Sequence, residues 1–248
     1  MLYKNYKTPI NDARIAKIKV WIILISVLFL ACSKDKEVGG KKNNHPYSRY
    51  MLTKVNSYVE IPHDGALNPN SAITLEGWVR IDNTAGINVL VSKKTDYRED
   101  GYSVDVRKRD GESKLYSYMG YSGSEHRSGN FPIHTWTHWA VTSDGLLRRH
   151  YINGELTGEF AEEPGAFTPG LVSLFLAKTV SVNTGFAELR LWNVVRSQSE
   201  IKQAMNLNIE KPQSGLVSVW PLHKNAEDII GSHHGTLHNN PRFMMWNE

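Results

Sequence analysis

The chain has 248 residues, 29 Lys+Arg against 25 Asp+Glu, and a single cysteine. Five of the basic residues and one acidic residue fall within the first 31, which leaves 24 of each in the remaining 217 and a formal charge of zero there. That balance removes the electrostatic support for nucleic-acid binding, the lone cysteine excludes an intramolecular disulfide, and 217 residues suffice for one sizeable core.

Residues 1–31 read as a leader. Lys4, Lys7, Arg14, Lys17 and Lys19 precede an apolar run over 20–31. Twelve residues span about 18 Å as a helix, short of the ~30 Å hydrocarbon core, so a signal peptide is expected rather than a membrane span. The run Phe29-Leu30-Ala31-Cys32 resembles a bacterial lipobox, in which the cysteine is acylated and begins the mature protein. The resemblance implies a lipid-anchored protein of the cell envelope, at the outer membrane. Ser33-Lys-Asp-Lys-Glu37 is similar to the surface-export tags of Bacteroidetes lipoproteins, with an ordinary solvated tether as the alternative. Residues 32–49 are polar and read as a flexible spacer ahead of one domain over 50–248.

From Tyr50 onward the pattern predicts strand after strand. Segments 51–61, 73–81, 89–91, 102–106 and 115–119 are apolar or alternating, with a loop expected over 120–132. Residues 136–156 read as a three-stranded meander turning at Asp144-Gly145 and Asn153-Gly154, pairs that tolerate positive φ. In its first strand Trp139 and Val141 point one way while His138, Ala140 and Thr142 point the other. A loop is expected over 158–170, then a strand buried on both faces over 171–177, then a strand over 186–192. Ser197-Gln-Ser-Glu200 matches a capping box and starts the one predicted helix. A strand over 216–222 and a C-terminal loop with one more strand complete the pattern. Many short strands at this spacing predict an all-β, two-sheet sandwich.

Three pieces in order carry a family resemblance: Tyr58-Val-Glu-Ile-Pro62 ahead of Ile73-Thr-Leu-Glu-Gly-Trp78, Trp136-x-His138-x-Ala140 leading into Tyr151-Ile-Asn-Gly154, and Gly185-Phe-Ala-Glu-Leu-Arg-Leu-Trp-Asn193 ahead of the helix. Together they resemble the laminin-G-like, concanavalin A-like lectin/glucanase domains of bacterial surface proteins. The resemblance implies a jelly-roll sandwich serving recognition of glycans or protein partners. Relatives hold a structural calcium through acids where this chain has Asn56, Ser57 and Ala187, leaving Glu188 alone, so no cofactor is expected and calcium only as a weak option.

The same fold hosts glycoside hydrolases, which need two carboxyls about 5–5.5 Å apart for a retaining mechanism. On the strand over 186–192, Arg190 stands two places after Glu188, where it is expected to form an ion pair and hold that carboxylate ionised. Glu162 and Glu163 read as solvated, and His223, His233, His234 and His238 lack a ligand spacing. No catalytic residue is therefore expected. For a ligand, Tyr116 and Tyr118 share a strand face, Tyr121 and His126 follow in a loop, and Arg148 and His150 alternate where relatives tend to carry leucines. These six are expected to line one sheet or its rim and bind a polysaccharide without catalysis; a surface protein as partner is the alternative. Trp78, Trp139, Trp192 and Trp220 are expected in the core.

Overall fold

The computed structural model describes residues 48–68, 70–83, 85–94, 100–120, 124–162, 167–178 and 183–246. The leader, Cys32, most of the spacer and Tyr121 lie outside them. None of the described helices is long and apolar enough to cross a membrane.

Alternation of apolar and polar residues builds two antiparallel sheets that face each other across one core. One sheet runs β10 (Glu155–Ala161), β9 (Leu147–Ile152), β8 (Trp136–Ser143), β3 (Ile73–Ile81), β12 (Thr184–Trp192), β1 (Arg49–Leu52) and β15 (Arg242–Met245), with β13 (Leu216–Trp220) also pairing β12. The other runs β14 (Thr236–His238), β2 (Tyr58–Ile61), β11 (Leu174–Leu176), β4 (Ile87–Ser92), β5 (Tyr102–Arg109), β6 (Glu112–Met119) and β7 (Ser124–Ser128). Leu75, Val79, Trp139, Val141, Leu189 and Leu191 from the first sheet meet Val59, Ile61, Val104, Val106, Leu115 and Leu176 from the second. Burying such side chains contributes about 1.5–3 kcal/mol each, which is what holds a sandwich without disulfides.

The central meander forms as its turn residues require, with Asn153 at φ 51° and Gly154 at φ 76°. The predicted helix, α1 (Gln198–Ala204), begins with the expected box: Ser197 Oγ accepts from the Glu200 amide and the Glu200 carboxylate accepts from the Ser197 amide.

Several boundaries differ from expectation, each for a local reason. Segment 51–61 divides into β1 and β2, which join different sheets, because Asn56 adopts φ 59° and Ser57 closes a turn on Lys54. Part of the expected loop 120–132 pairs with β6 as β7, and β10 extends to Ala161 into the expected loop 158–170. In 171–177 only Leu174–Leu176 is strand; Leu174 and Leu176 are buried, but Phe175 is half-exposed and Leu171 is 79% exposed, so it is not buried on both faces. The C-terminal segment supplies two strands, β14 and β15, rather than one.

Candidate functional site

The outward face of the larger sheet carries the unusual chemistry, and a bulge in β12 sets it up. Up to Ala187 the alternation points Gly185 and Ala187 outward and Phe186 into the core. At Glu188 (φ 52°) one extra residue is inserted between the pairs Ala187↔Trp78 and Leu189↔Gly77. Parity flips there, so Leu189 and Leu191 enter the core while Arg190 pairs across to Glu76 on β3. Gly77 is required opposite the bulge: a Cβ there would lie 2.5 Å from the Glu188 carbonyl oxygen.

Arg190 ties this face to α1. Its Nε donates to Glu188 Oε1 (2.6 Å), Nη1 to the Ala204 carbonyl (3.0 Å) and Nη2 to the Leu207 carbonyl (2.7 Å). These are carbonyls at and beyond the helix C-terminus, which lack helical partners and favour a cation. Glu76 Oε1 also accepts from Trp192 Nε1 (2.9 Å), and His138 stands 3.7 Å from the other Glu76 oxygen. The expected Glu188–Arg190 pair is present and still favours the carboxylate, but it does not set the net shift. Burial outweighs the guanidinium and, with a small push from Glu76, raises Glu188 to about 7.

Beside that charged cluster lies a cleft of about 370 Å³ lined by Trp78, Thr135, Trp136, Asn153, Met205, Asn206 and Trp246. Trp78 is fixed by donating from Nε1 to the Met205 carbonyl (2.8 Å). Trp136 and Trp246 stack with centroids 4.2 Å apart, and Tyr50 meets both rings edge-on at 5.0 and 5.9 Å. Gly185 makes room for the Trp136 indole: a Cβ there would stand 2.8 Å from Trp136 Cη2 and 3.3 Å from Tyr50 Cδ2. Gly185→Ala is expected to displace that ring at a cost of about 1–3 kcal/mol, read as a shifted tryptophan emission with the fold retained by circular dichroism. Unchanged emission would show the indole is not seated by this glycine.

Residues 53–202 match the family of concanavalin A-like lectin/glucanases. The chain belongs to the concanavalin A-like lectin/glucanases superfamily. Among solved structures it is similar to a Bacteroides ovatus protein assigned to carbohydrate binding (TM-score 0.66, 18% identity, covering 81% of this chain and 60% of that one). It is also similar to a heptameric SAP-like pentraxin from Limulus polyphemus (0.56, 10%, 79% and 94%) and to the binding domain of botulinum neurotoxin serotype D (0.51, 9%, 63% and 41%). The chain thus spans about three-fifths of the Bacteroides protein's length, and at these identities the likeness is one of fold. No curated protein matches it in sequence.

Within this lectin-like sandwich the expected ligand residues do not converge. Tyr116 and Tyr118 lie on the outer face of the smaller sheet, only 1% and 5% exposed. The Arg107 guanidinium sits 5.1 Å from each of their ring centres and is held by Asp105 (2.6 and 2.8 Å); Tyr118 donates to Glu125. Burial raises Asp105 to about 6 despite Arg107.

Arg148 and His150 point the opposite way, into the sandwich, and both are fully buried. The correction follows from parity: His150 stands opposite Val141 and shares its inward face. Ser117 and Ser128 from the facing sheet bracket the His150 ring at 2.6 and 2.9 Å, and Phe160 and His126 stack beside it. Arg148 reaches the Ser117 carbonyl (3.1 Å) and forms a two-pronged pair with Glu162, whose side chain is fully buried rather than solvated. His126, partly buried on the edge strand β7, stacks on Phe160 at the margin of this group.

Trp139, Trp192 and Trp220 are core residues as expected, whereas Trp78, at 9% exposure, edges the cleft. Trp136 carried a usable signal, since it shares the outward parity of His138 and Ala140 yet is a large apolar ring. Trp246 carried none, because its place depends on β15 pairing with β1 nearly two hundred residues earlier. Among the described residues no group of three or more His, Cys, Asp or Glu side chains is arranged to hold a metal ion.

Proposed function

We propose that this protein is a non-catalytic glycan-binding module of the cell envelope, lipid-anchored through Cys32, and that the tryptophan cleft is its binding site. The observation that carries the reading is the cleft's lining: three indoles and a thioether with a hydroxyl and two carboxamides. Sugar rings stack their apolar faces on aromatic planes while a few placed polar groups read the hydroxyls. The assignment of the Bacteroides ovatus relative to carbohydrate binding supports the same class of ligand.

Against a hydrolase, the described residues that line the cleft include no carboxylate, whereas glycoside hydrolysis ordinarily uses two. Glu76 and Glu188 come near each other through Arg190, but their side chains are 0% and 1% exposed, beneath carbonyls that Arg190 holds in place. The proximity of two acids there is structural.

Trp136→Ala and Trp246→Ala are each expected to weaken polysaccharide binding roughly 30-fold or more, the effect of losing a buried aromatic anchor. Retardation in affinity gels across a polysaccharide panel measures this. If the unaltered protein is not retarded by any polysaccharide, the glycan reading fails; if Trp136→Ala binds as before, the cleft is not the site. Incorporation of labelled fatty acid into the protein, lost in Cys32→Ser, tests the anchor.

A further inference from the structure

Resting on that reading, we infer that the cleft selects a neutral sugar, a mono- or disaccharide-sized portion of a glycan, and rejects glycans carrying carboxylate or sulfate groups. Its 370 Å³ lies at the small end of ligand sites, which run from about 300 to 1,000 Å³. The argument for neutrality comes from which polar groups the cleft presents and which charges it keeps occupied.

Asn153 has a fixed amide. Its backbone N–H donates to the His138 carbonyl (2.8 Å), and its side-chain Oδ1 accepts from the His138 N–H (2.9 Å). The atom facing that N–H must be the oxygen, so the amide cannot flip without breaking the bond, and Nδ2 is left as a donor on the cleft side. The Thr135 hydroxyl and the Asn206 carboxamide line the same space, and each can both donate and accept. No hydrogen bond from another described residue occupies any of these three groups. A sugar hydroxyl also donates and accepts, so this mixture suits it. An anionic group instead asks for charge-assisted donors, ideally a forked guanidinium, and none is among the described lining residues.

Two cations that neighbour lining residues, through register and through packing, are each paired at the surface. Arg80, opposite Trp136 in register, pairs with Asp82 at 3.0 Å. Lys202, whose stem packs on Gly154 next to Asn153, pairs with Glu155 at 2.7 Å. Moving an acidic sugar into the cleft would strip water from its charge with no opposite charge to compensate.

The test uses the full chain in affinity gels and calorimetry. Neutral probes are a glucan, a galactan and a mannan; acidic probes are polygalacturonate and chondroitin sulfate; choline chloride probes the aromatic lining as a cation cage. The expected result is binding to a neutral probe that is insensitive to added salt, weakened roughly 3- to 10-fold by Asn206→Ala and by Thr135→Ala, and lost in Trp136→Ala. Both polar substitutions are at exposed residues, so their folding is not at issue. Salt-sensitive binding of an acidic probe that needs Trp136 would overturn the neutral selectivity and leave the glycan reading standing. Choline binding that needs Trp136, with no glycan bound, would overturn both, as would no binding of any polysaccharide.

Discussion

Glu162→Ala is expected to destabilise the protein by about 3–5 kcal/mol, the cost of leaving a buried charge without its partner. The Glu162 and Arg148 side chains are both fully buried, and Glu162 also accepts from Ser143 Oγ at 2.6 Å. Removing the carboxylate leaves the guanidinium between the sheets without the buried charge that pairs it. Chemical denaturation with matched slopes measures the loss. The pair need not add net stability, however, because both charges were taken out of water to form it. The combination Arg148→Leu with Glu162→Leu is therefore expected to regain most of what Glu162→Ala loses. If the single substitution costs less than about 1 kcal/mol, the ion pair is not closed to solvent as described.

His150 is expected to make the fold acid-sensitive. Burial, aided by the Arg148 charge, lowers its pKa from 6.5 to about 3. In the unfolded chain the ring takes a proton below about 6.5; in the folded one it resists until about 3. The stability linked to this group is thus fully present above 6.5 and is lost progressively as pH falls from there toward 3. By linkage the loss is about 2 kcal/mol at pH 5. Asp105 and Glu188 act in the opposite sense. Their folded values, about 6 and about 7, lie above the ordinary carboxylate range, so the folded state gains relative stability as pH falls through them. The whole-protein profile sums these terms, and the informative quantity is the difference from His150→Gln. That difference should shrink between pH 7 and pH 5; a constant difference would mean the imidazole titrates in the fold as in the unfolded chain, and a growing one that it is protonated within the sandwich.

The fold was legible because its determinants are local. Period-two alternation, Asx-Gly turns and the capping box at Ser197 each act within a few residues, and the order of three short motifs identified the family. The candidate site was harder to see because its members meet only through register. Tyr116 and Arg148 each look like ligand-binding residues in isolation, but which sheet face they occupy is set by partners on other strands: Asp105 and Arg127 beside Tyr116, Ser143 and Phe160 beside Arg148. Buried polar groups are indistinguishable from exposed ones in a single sequence when their partners are distant, as Glu162 shows for Arg148. The bulge at Glu188 hid the rest. Without it, simple alternation would place Arg190 on the core side and Leu189 outside, and the tie between β12 and the helix end would be invisible.

The pairing of β1 with β15 has a consequence for biogenesis. The strand that opens the domain finds one of its two neighbours only when residues 242–245 have been made, so the larger sheet stays incomplete until nearly two hundred further residues follow β1. Pairing over such a separation delays folding, since the loop-closure entropy is spent before the contact returns anything. Trp246, one residue past β15, is recruited in that same closing event. The proposed binding cleft therefore gains its third indole last, and a protease trimming the tail after residue 240 would remove Trp246 from it.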